Sequence, residues 1–90
     1  MKFSDLTKKD YGKLLMLQKT NEFHKGWHNT VIKLNYIEND NCFTDVIYKP
    51  KVEDFYVPLG FYEIHKNSII GKTYDLIDLG TVEDNPQFKL

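Results

Sequence analysis

The segment TVIKLNYIENDNCFTDVIYK, residues 30–49, decides the fold class because its hydrophobic residues recur with a period of two. In its first half Ile32, Leu34 and Tyr36 alternate with polar residues, and a polar turn cluster at 38–41 follows. The second half, CFTDVIYK, has the same alternation. Because successive side chains of a strand point to opposite faces, the segment predicts an antiparallel hairpin with those three residues on one face.

Shorter strand patterns follow the hairpin. Residues 55–57 (FYV) and 61–65 (FYEIH) predict a third and a fourth strand. Pro58 lies between them, and it marks a strand end or edge because proline cannot donate to a sheet ladder. Residues 69–79 (IIGKTYDLIDL) fit a helix or a strand, and we favour a fifth strand. The polar residues 80–90 predict a partly ordered tail.

The residues before the hairpin predict an amphipathic helix over about 8–21. Thr7 and Asp10 resemble a capping box at its start. Apolar residues and one glutamine then follow at helical spacing: Tyr11, Leu14, Leu15, Leu17 and Gln18. Gly12 weakens such a helix by about 1 kcal/mol relative to alanine, so the helix is expected to depend on docking against the sheet.

Together these elements predict an α+β fold in which one N-terminal amphipathic helix packs on a four- to five-stranded antiparallel sheet. Ninety residues suit a single domain, 1–90, because a chain of this size forms one hydrophobic core. The aromatic share is 14%, and each buried ring removes about 150–250 Å² from water. The aromatic residues are therefore expected to supply much of the core.

The composition bears on origin and on partners. The net charge is −1, which gives no strong attraction to nucleic acid or to a membrane surface. All twelve basic residues are lysine, and the chain has neither arginine nor alanine. This usage is typical of a low-GC genome, such as that of a bacterial phage or mobile element. The lack of arginine also disfavours nucleic-acid recognition, because bidentate contacts to phosphate and guanine favour arginine.

A cytoplasmic location is expected from the cysteine content and from the start of the chain. Cys42 is the single cysteine and cannot form an internal disulfide, which suits a reducing compartment. The first residues, MKFSDLTKKD, show no signal-peptide pattern. No run approaches the roughly 18 apolar residues that span a bilayer, so no membrane partner is expected.

The motif EFHKGWHN, residues 22–29, concentrates candidate chemistry. His24 and His28 have the i, i+4 spacing that binds zinc from one helix face. That site requires the helix to continue past Gly26, and zinc also needs a third protein ligand, for which no sequence spacing selects a residue. We therefore predict no metal and no cofactor, and keep these two histidines as the weaker alternative.

A structural corner is the favoured interpretation of the same motif. Gly26 supplies the backbone freedom for a reversal, and Trp27 folds back onto the core. Tryptophan is also enriched at interface hot spots, so an outward-facing Trp27 would make the corner a docking site. No nucleophile elbow, phosphate loop or acidic dyad is found, and Cys42 in a strand is usually an apolar filler. No catalytic residue is predicted.

Two surfaces compete as binding sites. The lysines of the predicted helix lie opposite its apolar stripe and could contact phosphates in a salt-dependent manner: Lys8, Lys9, Lys13 and Lys19. The aromatic run at 55–62 is flanked by carboxylates, with no lysine or arginine between 53 and 65. Alternation leaves one ring of each FY pair exposed, which suits a protein partner. The expected contact residues are Trp27, Tyr56 and Tyr62, with Glu53, Asp54 and Glu63 facing a basic surface.

The sequence thus favours a small non-enzymatic protein-binding module, in keeping with a phage or mobile-element accessory protein that inhibits or redirects a larger host protein. One alternative is a nucleic-acid-binding protein that uses the lysine face of the first helix. A second alternative is a small histidine- or metal-dependent enzyme. An uncovered aromatic sheet face would also favour a homodimer.

Overall fold

A computed structural model describes residues 1–19, 25–50 and 58–88. In these residues the chain forms one five-stranded antiparallel sheet with strand order β4-β3-β2-β1-β5. The strands are β1 Lys13–Lys19, β2 Val31–Glu38, β3 Asn41–Tyr48, β4 Gly60–His65 and β5 Tyr74–Thr81. A short helix, α1, covers Ile69–Thr73, and 3-10 turns lie at Phe3–Asp5, Lys8–Asp10, Lys25–Trp27 and Pro86–Phe88.

Strands β2 and β3 form the hairpin that the alternation predicts. Asn39 and Asp40 form its two-residue turn with φ angles of 51° and 63°, the left-handed pair that matches the twist of a hairpin. One detail differs from the prediction. A bulge between Leu34 and Tyr36 moves the Tyr36 ring to the face opposite Ile32 and Leu34, because one extra residue reverses the alternation.

The predicted N-terminal amphipathic helix over 8–21 is wrong. Lys8–Asp10 is a single 3-10 turn, and Lys13–Lys19 is strand β1 at an interior position of the sheet. The capping box does form, since Asp10 Oδ2 accepts the Thr7 N–H at 2.9 Å, but it closes only this turn. Residues 20–21 of the predicted helix lie outside the described residues.

Gly12 separates the turn from the strand. Its φ of 86° is a left-handed conformation that ends a right-handed helix and that glycine adopts at little cost. Its N–H donates to the Leu34 carbonyl at 2.7 Å, which brings the chain onto β2 just before β1 begins. The fold is therefore built mainly from the sheet, with short turns in place of the expected helix.

The core lies on one face of the sheet, called the inner face. It is covered by the N-terminal turns, by the 3-10 turn Lys25–Trp27 and by α1. The buried side chains that form this cluster are Phe3, Leu6, Leu15, Leu17, Trp27, Ile32, Leu34, Cys42, Val46, Ile64, Tyr74 and Leu76. Aliphatic side chains make up most of it, so fewer aromatic rings lie in the core than expected. The opposite, outer face carries the rings of Tyr36, Phe43 and Phe61.

Residues 69–81 combine both structures that their pattern allows. Ser68 caps α1 by accepting the Gly71 N–H at 3.1 Å, and β5 follows the helix directly. The first residues of the chain pair with the start of β5, where Met1 O accepts the Leu76 N–H at 2.7 Å and Lys2 forms an ion pair with Asp75.

The remaining predicted segments fall as follows. The fourth predicted strand corresponds to β4, whereas the third, at 55–57, lies outside the described residues. Within the predicted tail, the 3-10 turn Pro86–Phe88 brings the Phe88 ring to 5.9 Å from the Tyr48 ring, measured between centroids. No helix of the described residues is long and apolar enough to cross a membrane.

Candidate functional site

Three aromatic rings form a continuous cluster on the outer face, here called the aromatic patch: Tyr36, Phe43 and Phe61. Tyr36 stacks on Phe43 with ring centroids 4.4 Å apart and planes 11° apart. Phe43 and Phe61 have centroids 6.0 Å apart. Tyr36 is 45% exposed and Phe61 is 63% exposed. The patch therefore presents aromatic surface to solvent across three neighbouring strands.

The strand register sets the geometry of the aromatic patch. Tyr36 on β2 lies directly opposite Phe43 on β3, and Glu63 on β4 lies opposite Phe43 on the other side. Phe61 is the register partner of Asp45. Two rings and two carboxylates therefore alternate on β3 and β4, with Phe43 beside Glu63 in one row and Asp45 beside Phe61 in the next. Directly opposite residues have Cβ atoms about 4.5–5.5 Å apart, and diagonal ones about 7–8 Å apart.

The charges around the aromatic patch are mainly negative. Glu63 is exposed, and within the described part of the chain its carboxylate has no hydrogen bond or ion pair. Asp45 Oδ2 accepts a hydrogen bond from Asn35 Nδ2 at 3.0 Å. Glu38, at the exposed end of β2, adds a third carboxylate, whereas Lys33, opposite Asp45 in register, contributes one ammonium group.

A groove of about 390 Å³ adjoins the aromatic patch at Asp45. Strand residues and the segment after β5 line it, mostly with apolar side chains: Lys33, Asp45, Val46, Ile47, Leu59, Gly60, Val82 and Phe88. Its volume lies at the lower end of the range of about 300–1,000 Å³ for ligand pockets. The groove is therefore large enough to accept one or two apolar side chains.

Trp27 and Tyr62, both predicted as contact residues, pack on each other, with Trp27 in the core and Tyr62 partly buried against it. Their ring centroids are 4.9 Å apart, with planes at 60°. Trp27 is 5% exposed, and its backbone N–H donates to the Tyr74 hydroxyl at 2.9 Å. Burial raises the pKa of that hydroxyl. Glu63 lies on the opposite face from Tyr62, and the predicted contact residues Glu53, Asp54 and Tyr56 lie outside the described residues.

The four lysines of the nucleic-acid alternative do not share one face. Lys8 and Lys9 lie in the 3-10 turn Lys8–Asp10, whereas Lys19 lies at the far end of β1. Lys13 Nζ is 2.8 Å from Asp78 Oδ2 and 3.1 Å from Asp10 Oδ1. The hydrogen bonds to Asp78 and then to Asp10 raise the pKa of Lys13. The continuous lysine face depended on the helix that β1 replaces.

The histidines take part in backbone hydrogen bonds. His28 Nδ1 accepts the Lys19 N–H at 3.1 Å, and His65 Nδ1 accepts the Asn67 N–H at 3.0 Å. His24 lies outside the described residues. In residues 1–19, 25–50 and 58–88, no group of three or more His, Cys, Asp or Glu side chains could hold a metal ion.

Cys42 lies among the core residues. Its side chain is fully buried in β3, and desolvation raises the pKa of its thiol. A buried thiol with a raised pKa resists conversion to the nucleophilic thiolate. Its position therefore agrees with the apolar role predicted for it.

Sequence reasoning missed Tyr36, Phe43, Asp45 and Phe61 as site residues. For Phe61 the alternation contained the necessary information. Tyr62 and the apolar Ile64 share one face, and Phe61 therefore shares the other with Glu63. The bulge that turns Tyr36 outward has no comparable mark in the sequence.

The outer face can offer a partner apolar area, ring faces and carboxylates in a fixed arrangement. Because the rings sit on neighbouring paired strands, the backbone ladder fixes the spacing of their Cβ atoms. The chain matches no protein family, no curated protein and no solved structure among those with which it was compared.

Proposed function

We propose that this protein is a non-enzymatic binding module that docks on a larger protein through the outer face of its sheet. The observation that carries this proposal is the aromatic patch of Tyr36, Phe43 and Phe61, with Phe61 63% exposed. Contiguous exposed apolar patches mark interaction sites, and aromatic residues are enriched at the centres of protein interfaces.

Comparison with another exposed side chain supports the choice of this surface. Ile69 on α1 is 67% exposed, about as much as Phe61. Single exposed apolar side chains are common in soluble proteins and require no functional explanation. Phe61 differs because its ring contacts Phe43, which in turn stacks on Tyr36, so a partner that covers Phe61 also covers a connected apolar area.

The composition supports a narrower form of the proposal. The absence of arginine and alanine is typical of an AT-rich genome, such as that of a bacterial phage or mobile element. We therefore propose that the partner is a protein of a low-GC bacterial host, whose activity the module inhibits or redirects.

The test compares two variants that remove equally exposed side chains. Phe61→Ser, Ile69→Ser and the unmodified protein are immobilised and incubated with lysate of a low-GC bacterium, and captured proteins are quantified by mass spectrometry. Burying a phenylalanine side chain contributes about 1.5–3 kcal/mol, so we expect Phe61→Ser to reduce capture of the partner at least tenfold. Ile69→Ser should capture the partner as well as the unmodified protein does.

The captured protein is then purified, and its direct binding is measured by calorimetry. A one-to-one complex that Phe61→Ser weakens and Ile69→Ser leaves intact supports the proposal. Equal capture by all three forms would show that the aromatic patch is not the docking surface. Circular dichroism of each variant shows whether any loss of capture comes from unfolding.

A further inference from the structure

Resting on the proposed function, we infer that the aromatic patch binds an arginine side chain of the partner protein. The inference comes from the alternation of rings and carboxylates on β3 and β4. Phe43 and Glu63 are register partners, and Asp45 and Phe61 are register partners in the adjacent row. These four residues are here called the square. Each row of the square, and each of its two strands, contains one ring and one carboxylate, so a cationic group that lies over the square has both beside it.

The chemistry of the square suits a guanidinium group. A cation within about 6 Å of a ring centroid is attracted by the negative face of the ring. The planar guanidinium also stacks on aromatic rings and donates two parallel hydrogen bonds to a carboxylate, which a lysine ammonium cannot do. With rings and carboxylates on one surface, arginine can use both kinds of contact at once.

The carboxylates are available for such a contact. Glu63 forms no hydrogen bond or ion pair with the rest of the described chain, and it is exposed beside Phe43. Asp45 is oriented by Asn35, which donates to its Oδ2 at 3.0 Å. Because Glu38 adds a further negative charge and Lys33 only one positive charge, the surface has an excess of negative charge that complements a basic partner.

The same observations argue against a second copy of this chain as the occupant. The chain has twelve lysines and no arginine, so another copy cannot supply a guanidinium group. A two-fold symmetric contact of the outer face with itself also brings Glu63 and Asp45 of both copies together. Like charges at that contact oppose association, whereas an arginine-bearing partner neutralises them.

The groove beside the square extends the contact. It shares Asp45 with the square, and Ile47, Leu59 and Phe88 give it an apolar lining. An apolar residue next to the arginine in the partner would fill it. The recognised element is therefore an arginine with an apolar neighbour.

The inference is tested by NMR titration of the full ¹⁵N-labelled chain with the peptide acetyl-Gly-Leu-Arg-Leu-Gly-amide. The control peptide has citrulline in place of arginine, which keeps the shape and removes the charge. We expect saturable shifts of the backbone amides of Phe43, Phe61 and Glu63 with the arginine peptide. The citrulline peptide should bind at least about tenfold more weakly, because charge-assisted hydrogen bonds are roughly twice as strong as neutral ones.

A double variant, Asp45→Asn with Glu63→Gln, keeps the rings and the side-chain sizes and removes both charges. It should lose the preference for arginine over citrulline, and its spectrum reports whether it is folded. Equal binding of the two peptides to the unmodified chain, or no shifts at the square, would overturn the inference. So would a dimer detected by sedimentation that Phe61→Ser dissociates, since a second copy would then cover the patch.

The outcomes separate this inference from the proposed function. If the partner captured from lysate depends on Phe61 but binds the double variant as tightly as the unmodified chain, the docking surface stands and arginine recognition fails. If neither Phe61→Ser nor the double variant affects capture of the partner, the proposed function itself fails.

Discussion

Phe61 on β4 lies diagonally across from Phe43 on β3, with ring centroids 6.0 Å apart, on the face of the sheet that points away from the core. Trp27 and Tyr62 form a comparable pair on the inner face, with centroids 4.9 Å apart. The same sheet thus separates rings that stabilise the fold from rings that remain available for a partner. Substitutions on the two faces should have different consequences.

The first prediction concerns the outer face. Phe61→Ser should lower the free energy of unfolding by less than about 1 kcal/mol, because a largely exposed side chain loses little burial. The loss comes mainly from the ring contact with Phe43, and aromatic pairs contribute about 0.5–1.5 kcal/mol. Urea denaturation followed by circular dichroism measures the change. A loss above about 2 kcal/mol would mean that the Phe61 ring is part of the core.

The second prediction concerns the inner face. Trp27→Ala should lower the free energy of unfolding by about 3–5 kcal/mol, the usual cost of removing a buried aromatic side chain. Small domains have total stabilities of about 5–15 kcal/mol, so the variant should be partly or wholly unfolded at 37 °C. Circular dichroism is the suitable measurement because Trp27 is the sole tryptophan. Tyr36→Ala, on the outer face, is the matched control and should remain folded; an equally folded Trp27→Ala would contradict the packing described for this side chain.

The contrast between the hairpin and β1 explains how far the sequence could predict the fold. In residues 30–49, hydrophobic residues at every second position can be buried together only by an extended chain. In β1, Leu14, Leu15 and Leu17 are all fully buried, although Leu14 points to the face opposite Leu15 and Leu17 because successive side chains alternate, so burial in this strand does not follow a period of two. The same three residues also satisfy helical spacing, so the pattern alone could not distinguish the two structures.

The candidate site was harder to predict for a related reason. Register and bulges depend on partner strands, which lie far apart in sequence. Tyr36 reaches the outer face only because of the bulge after Leu34, and Glu63 meets Phe43 only through the pairing of β3 with β4. The sequence did favour aromatic residues beside carboxylates as the contact surface. It did not reveal which rings and which carboxylates would meet.

The third prediction concerns acid stability. The hydrogen bond from Lys13, followed by that from the Gly80 N–H, lowers the pKa of Asp78 below its ordinary value of 3.8. A carboxyl group whose pKa is lowered by folding stabilises the folded state at a pH above its unfolded-state pKa. This contribution is lost as the pH falls through the pKa of the group in the folded state. Part of the stability should therefore disappear below about pH 4.

Asp78→Asn should flatten this acid dependence, as measured by urea midpoints between pH 2 and pH 6. In a Lys13→Met background the same substitution should have a smaller effect, because the principal partner of Asp78 is already absent. The side chains of Lys13 and Asp78 are 30% and 34% exposed, so solvent reaches the ion pair and added salt should also weaken the effect. An unchanged pH profile in Asp78→Asn would show that this ion pair does not contribute to stability.

The fourth prediction distinguishes strand β1 from the helix that the sequence suggested. If residues 8–21 were helical, Gly12→Ala would stabilise the protein by about 1 kcal/mol, because alanine is the better helix former. In the structure Gly12 has a φ of 86°, and this left-handed conformation costs an alanine roughly 1–2 kcal/mol. No heavy atom lies within 4 Å of a Cβ built at this position, so the cost is conformational and involves no steric clash. We therefore expect Gly12→Ala to lower the free energy of unfolding by about 1–2 kcal/mol. Urea denaturation measures the change, with Lys9→Ala at an exposed position as the control. If Gly12→Ala were more stable than the unmodified protein, the turn described before β1 would be contradicted.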